Sequence, residues 1–128
     1  AGLDAGFIHN HWPMMSEGKW IHETVYIEQN PLYKNFIEGK SGVQFVHRIL
    51  AYVVVILVLM IWYKAKQMEL TSYQTKGVNA LFLMVAIQFL LGVLTLIYGV
   101  PVWLGVAHQI GAFFLLSIMT FTLHRFSK

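Results

Sequence analysis

Residues 77–100 read GVNALFLMVAIQFLLGVLTLIYGV and carry no formal charge along their whole length. A helix needs about 20 consecutive apolar residues to cross the hydrocarbon core of a bilayer, so this stretch predicts a membrane span. Gly99 and Pro101 end it, because proline cannot donate a hydrogen bond inside a helix but fits a first turn. The apolar residues 102–123 then predict another span, antiparallel to the first.

A third apolar stretch lies before these two, at residues 43–63, with the sequence VQFVHRILAYVVVILVLMIWY. Its polar residues Gln44, His47 and Arg48 lie near its start. The β-branched residues 53–56 would suit a strand in water. In lipid, however, a lone span must satisfy its own backbone and is therefore helical.

Residues 1–42 differ from the rest of the chain. They hold most of the acidic residues and no uncharged stretch long enough to span a bilayer, which predicts an extramembrane segment at the outer face. The expected fold class is all-α integral membrane, with a transmembrane helical bundle over 43–128. Composition agrees, because 57% of the 128 residues are hydrophobic and 12% are charged, whereas soluble domains carry about 25% charged residues.

Two compositional features limit the chemistry. The chain has no cysteine, which excludes disulfides, thiolate metal sites and a catalytic thiol. Its nine Lys and Arg residues are scattered along the chain, which argues against a nucleic-acid partner. The six histidines are therefore the main candidates for functional chemistry in this chain.

Basic residues in short flanking segments set the orientation of membrane spans. The loop between the first two spans carries Lys64, Lys66 and Lys76, and the C-terminus adds Arg125 and Lys128. Both flanks are therefore expected on the cytoplasmic or matrix side of a bacterial plasma membrane or a mitochondrial inner membrane. The acidic N-terminal segment is expected on the outer side, at the level of the lipid headgroups.

Two histidines fall inside the predicted spans, where ionisable residues are costly and mark functional sites by default. At 1.5 Å per residue, His47 lies about 6 Å into its span and His108 about 9 Å into its span. Two imidazoles at nearly equal depth, on helices that run parallel, are what axial coordination of a haem iron needs. The alternative is that both histidines only pack in the bundle core.

Small residues surround His108 on its own helix. Gly105, Gly111 and Ala112 lie within about a turn of it. They leave room for a flat macrocycle, or they simply let two helices approach closely. Gln88 begins a polar and small stripe on the preceding span, where it either donates a hydrogen bond to a ligand histidine or serves as packing.

Two further groups are candidate sites. Arg48 cannot be neutralised, so it is expected to meet an anion or water. The candidate anions are a haem propionate and a lipid phosphate. In the N-terminal segment, His9, His11, Met14 and Met15 form a candidate soft site for copper(I). An adventitious cluster is the favoured explanation for that spacing.

Three stretches of the chain resemble the haem A synthases of bacteria and mitochondria, in the order of that family. They are AGLDAGFIHNHWPMM at residues 1–15, GVQFVHRILAY at 42–52 and QFLLGVLTLIYGVPVWLGVAHQIGA at 88–112. Members of the family have eight spans in two similar four-helix halves. This chain resembles the second half without its first helix, so its three transmembrane helices would come from one four-helix bundle.

The resemblance implies a function. The family oxidises a methyl group of haem O to a formyl group, which gives haem A for terminal oxidases. His47 and His108 correspond to the histidine pair of the second half, which implies that they are axial ligands to the iron of a haem b cofactor. Gln44 stands where the first half has a glutamate, and this change fits a cofactor-binding half because an amide cannot act as a general base. No catalytic residue of this chain is predicted.

The same resemblance implies partners. These are haem O in the other half of the full-length protein and membrane lipid, with haem O synthase and oxidase assembly factors as further candidates. Two other functions stay open. One is a bis-histidine electron-transfer cytochrome or haem carrier without oxidation chemistry, and the other is a structural membrane module.

Overall fold

The computed structural model describes residues 5–127. Its elements, in chain order, are a 3-10 turn at Ala5–Phe7, helix α1 at Thr24–Ile27, a 3-10 turn at Leu32–Phe36, and the long helices α2 at Lys40–Ala65, α3 at Ser72–Ile97 and α4 at Val102–Phe126. Each of the three long helices is long and apolar enough to cross a membrane. The predicted all-α membrane fold with three spanning helices is confirmed.

The long helices extend beyond the predicted apolar stretches wherever polar residues continue the helical hydrogen bonding. The start of α3 at Ser72 is fixed by a capping box, in which Gln74 N–H donates to Thr71 Oγ1 at 3.2 Å and Thr71 N–H donates to Gln74 Oε1 at 3.0 Å. The end of α3 comes earlier than predicted. Gly99 and Val100 both have positive φ, so they reverse the chain towards α4.

Helix α3 packs against both α2 and α4. A small apolar core of Val58, Leu81 and Val85 lies between α2 and α3 and continues to α4 through partly buried residues such as Leu115. In lipid such contacts give shape complementarity rather than a hydrophobic gain, since lipid tails are equally apolar.

The two ends of this bundle are built differently, and we name them by their connections. The covered end is where residues 5–39, the N-terminal segment, pack on the start of α2. The far end is where residues 66–71 join α2 to α3. At the far end, a Cβ added to Gly77 would lie 2.8 Å from Thr122 Oγ1, so glycine lets α3 and α4 approach closely there.

The N-terminal segment is organised around Asn35, whose side chain is fully buried. Its Oδ1 accepts from Gln29 N–H at 2.6 Å, and its Nδ2 donates to the carbonyls of Tyr26, Gln29 and Leu32 at 2.9, 3.0 and 2.9 Å. Helix α2 lies so close that a Cβ on Gly42 would be 1.8 Å from the Asn35 carbonyl oxygen. The absence of a side chain at Gly42 is therefore a requirement for docking.

A second contact joins the segment to the first turn of α2. The Glu28 carboxylate accepts from the N–H groups of Lys40 and Ser41 at 3.1 and 3.0 Å. These N–H groups have no partner inside the helix, and a carboxylate also complements the helix dipole at this end. Glu28 thus caps α2 from a distant part of the chain.

Candidate functional site

His47 on α2 and His108 on α4 face each other across the bundle. Their ring centres are 6.4 Å apart and their planes are inclined at 79°. From Lys40 and Val102, the first residues of the two helices, these histidines lie about 10 Å and about 9 Å along their helices. The structure therefore brings together the two histidines that were selected by depth. His108 is half-buried, whereas His47 is exposed.

A cavity of about 670 Å³ lies around this pair. Its lining includes six residues that the sequence analysis had selected: Gln44, His47, Arg48, Gln88, Gly105 and His108. Most of the remaining wall is aliphatic or aromatic, from all three long helices and from the start of the N-terminal segment. The site is thus a concave, mainly apolar space with a few polar groups, which is typical of small-molecule and cofactor sites.

Two glycines shape the space near His108. A Cβ added to Gly105 would meet no atom within 4 Å, so this position opens into free space. A Cβ added to Gly92 on α3 would lie 3.0 Å from His108 Cε1, so the imidazole fits closely there because residue 92 is a glycine. Gly92 was not among the selected site residues. Its position in the small and polar stripe of α3 was the signal that could have identified it.

Gly111 and Ala112 do not line the cavity, which differs from the expectation that they leave room for a macrocycle. A Cβ on Gly111 would lie 2.1 Å from Gln88 Oε1, so the room it leaves is filled by Gln88. Ala112 is exposed on the outside of α4. Both residues follow the histidine by about one turn, but the helix turns them away from the cavity.

Gln88 contacts the backbone of the histidine helix. Its Nε2 donates to the His108 carbonyl at 2.8 Å, while its buried Oε1 has no hydrogen-bond partner. His108 Nδ1 is likewise buried and without a partner. Gln88 therefore holds α4 against α3 and leaves the imidazole uncommitted.

Arg48 is buried and directed at the N-terminal segment. Its Nη1 donates to the carbonyls of Pro13 and Met14 at 3.2 and 3.3 Å. Its Nη2 donates to the carbonyls of His9 and His11 at 2.8 and 2.7 Å. The sequence predicted an anion or water at this position. The partners found here are neutral backbone carbonyls of an irregular segment.

Gln44, one turn before Arg48, makes the matching contacts on the same segment. Its Nε2 donates to the carbonyls of Ala5, at 2.9 Å, and Ile8. Its Oε1 accepts from Arg48 Nη2 at 3.2 Å. The segment thereby becomes a wall of the cavity, to which Trp12 contributes its ring.

Two of the candidate copper residues, His9 and Met15, have different surroundings. His9 Nε2 lies 2.9 Å from Ser41 Oγ and its ring centre lies 4.5 Å from that of His22, whereas Met15 is fully buried. Burial, followed by the neighbouring His22, lowers the pKa of His9. Within residues 5–127 no group of three or more His, Cys, Asp or Glu side chains is placed to hold a metal ion. This region is a polar contact between the segment and α2.

The fold and the site define a helical membrane protein with a cavity between facing histidines. Residues 1–120 match the model of the COX15-CtaA family, described as cytochrome oxidase assembly protein. The chain belongs to this family, and the resemblance drawn from its three sequence stretches is confirmed.

Similar curated proteins carry a consistent name. The chain is 63% identical over 128 residues to the haem A synthase of Flavobacterium johnsoniae and 56% identical over 128 residues to that of Flavobacterium psychrophilum. In both cases the match covers 100% of this chain and 38% of the relative. It is 37% identical over 124 residues to the haem A synthase COX15 of Arabidopsis thaliana, covering 97% of this chain and 27% of that protein. No solved protein structure matches the chain.

Proposed function

We propose that this chain is the haem b-binding half of a haem A synthase, with His47 and His108 as the axial ligands of the haem iron. The observation that carries the proposal is the pair of imidazoles 6.4 Å apart at the edge of a cavity. The relatives are named haem A synthases, which supports a role in haem A formation. The reaction we propose for that role is oxidation of the haem O methyl group to a formyl group. Since the chain spans 38% of two of these relatives, substrate oxidation belongs to the full-length protein.

The geometry fits the proposed cofactor. A coordinated imidazole nitrogen lies about 2.0 Å from a metal ion, with the ring centre roughly 1 Å further, so two opposed imidazoles have centres about 6 Å apart. The observed separation of 6.4 Å agrees with that requirement.

The side chains around the pair suit storage and transfer of an electron. A haem held by His47 and His108 would supply one-electron chemistry. Gln44, an amide, cannot remove a proton, and its groups already bind carbonyls of the N-terminal segment. The mainly apolar wall of the cavity suits a ligand with a large apolar surface. The proposed substrate haem O, haem O synthase and oxidase assembly factors are then partners of the full-length protein.

We infer an orientation from the basic residues of the flanks. Lys64, Lys66 and Arg125 lie at the far end and are exposed or partly exposed, which favours placing that end on the cytoplasmic or matrix side. The N-terminal segment then faces the outer side. Cysteines at Ser16 and Ser72 test this in intact cells. Labelling of the Ser72 variant alone by an impermeant reagent would invert the orientation.

Optical spectroscopy of the full-length protein tests the histidine pair. His47→Ala and His108→Ala should each abolish the low-spin spectrum of the haem in this half, whereas His124→Ala, an exposed histidine at the far end of α4, should leave it intact. If the low-spin signal survives in both cavity variants, the two histidines are not axial ligands. If the ligation holds but purified full-length protein forms no haem A, the chain belongs to an electron-transfer cytochrome or haem carrier.

A further inference from the structure

We propose that Arg48 is a positioning residue, which holds residues 9–14 as a wall of the haem cavity by binding their carbonyls instead of pairing with a haem propionate. This inference rests on the proposed haem site. It concerns how the site is closed at the covered end and which residues keep the haem from leaving. It also predicts which variants fail together.

The donors of Arg48 are already used. A guanidinium presents five N–H groups in a fixed fork. The four N–H groups on its two terminal nitrogens meet four carbonyls of the segment and the Gln44 side chain. The fifth, on Nε, is buried without a partner. A bidentate pair with a carboxylate, through Nε and one terminal nitrogen or through both terminal nitrogens, would therefore need at least one of the carbonyl contacts to break.

Two side chains on one face of α2 bind the N-terminal segment. Gln44 and Arg48 are four residues apart, so they lie above each other. Gln44 donates to the carbonyls of Ala5 and Ile8. Arg48 donates to the carbonyls of His9, His11, Pro13 and Met14. These six carbonyl contacts hold residues 5–14 against one face of α2, beside the cavity.

A third contact fastens the same segment to α3. Asn10 Nδ2 donates to the Gly6 carbonyl at 2.8 Å and to the Leu96 carbonyl at 3.0 Å. The Leu96 carbonyl belongs to the last turn of α3, where carbonyls have no partner inside the helix. The segment therefore bridges α2 and α3 over the cavity.

The gripped residues contribute to the cavity itself. Trp12 packs edge-on against Phe89 of α3, with ring centres 6.0 Å apart, and the ring centre of Tyr52 of α2 lies 5.9 Å from that of Phe89. All three rings line the cavity. Loss of the Arg48 hydrogen bonds to these carbonyls would displace the Trp12 ring and open one side of the cavity.

The test compares Arg48→Lys, Arg48→Leu and Asn10→Ala in the full-length, haem-loaded protein. Two rates are measured: tryptic cleavage after Lys19, which reports release of the segment, and transfer of haem to added apomyoglobin. Lysine keeps the positive charge but lacks the planar fork. Asn10→Ala changes no charge at all, and it is the milder variant if Arg48→Leu fails to accumulate.

The positioning role predicts that Arg48→Lys and Asn10→Ala both accelerate cleavage and haem transfer, by about tenfold for Arg48→Lys because several hydrogen bonds to a charged group are lost. Arg48→Leu should resemble Arg48→Lys. The proposal is overturned if Arg48→Lys behaves like the parent while Arg48→Leu loses haem, since charge alone would then matter. It is also overturned if cleavage accelerates and haem transfer does not. Failure of the haem site itself is recognised separately, by survival of the low-spin spectrum in both histidine variants.

Discussion

The two ends of α2 are held by different kinds of contact. At the covered end, Gln44 and Arg48 are buried polar side chains bound to carbonyls of a distant segment. Towards the far end, Val58 packs with Leu81 and Val85. Apolar contacts can be exchanged for lipid at little cost, but a buried amide or guanidinium cannot exchange its carbonyls for hydrocarbon. The polar contacts at the covered end therefore permit one arrangement of the chain, whereas the apolar contacts at the far end tolerate alternatives.

The strongest way to break this contrast is Gly42→Ala. The added methyl would lie 1.8 Å from the Asn35 carbonyl oxygen and 2.5 Å from its carbon, so the segment must leave α2. Overpacking typically costs about 1–3 kcal/mol, and contact with backbone puts this variant at the upper end or above. Hydrogen exchange of residues 24–39 should accelerate accordingly. Gly105→Ala is the matched control, because its methyl meets nothing within 4 Å; equal acceleration in both variants would contradict the steric explanation.

The same contrast shows what the sequence could predict. The three spans follow from apolar stretches, because an isolated apolar segment in lipid must satisfy its own backbone as a helix. His47 and His108 follow from their cost in such stretches. In both cases a single local property of the sequence is enough for the prediction. Apolarity predicts the spans and ionisability marks the two histidines, and the periodicity of a helix converts sequence positions into positions in space.

Other features depend on contacts between distant parts of the chain. Gly42 requires knowledge that Asn35 approaches it, and the carbonyl partners of Arg48 require the path of an irregular segment. Neither is encoded in helical periodicity. Gly111 shows the same limit, since which neighbour fills its space depends on the rotation of α4 against α3 and on Gln88.

Acidification should weaken the covered end more gently than Gly42→Ala. His9 Nε2 contacts Ser41 Oγ at 2.9 Å, and burial lowers the pKa of His9, with His22, Arg48 and His11 adding to the effect and Glu28 opposing it. The folded form then takes up a proton less readily than the unfolded form. Stability is therefore fully present above the unfolded pKa of about 6.5. It declines as the pH falls below that value towards the lowered pKa.

Thermal unfolding of the full-length protein at pH 7.5, 6.5 and 5.5 measures this effect. The midpoint should fall with acidification, and His9→Asn should flatten that fall. Asparagine suits the control because residue 9 has a positive φ of 49°, which asparagine tolerates better than most residues. An equally steep fall in the variant would assign the pH dependence to other groups.

The smallest effect is expected at the far end, from Trp62→Phe. Trp62 Nε1 donates to Asn79 Oδ1 at 3.2 Å, and its ring stacks on Phe82 with centres 4.7 Å apart, under the Lys66 ammonium at 3.9 Å. Phenylalanine keeps an aromatic ring for the stacking and loses only the hydrogen bond. Such bonds between membrane helices contribute about 0.6 kcal/mol on average, because the separated helices also find partners.

Trp62→Ala is the variant to compare with Trp62→Phe, because it removes the stacking and the cation–π contact together with the hydrogen bond. Aromatic pairs contribute about 0.5–1.5 kcal/mol beyond area burial, and an exposed cation–π contact about 0.5–1 kcal/mol. Unfolding in mixed micelles should therefore show a loss for Trp62→Ala about three to five times that for Trp62→Phe, because about 1.6–3.1 kcal/mol is lost against about 0.6 kcal/mol. If Trp62→Phe costs as much as Trp62→Ala, the far end is also held by a polar contact, and the contrast between the two ends of α2 fails.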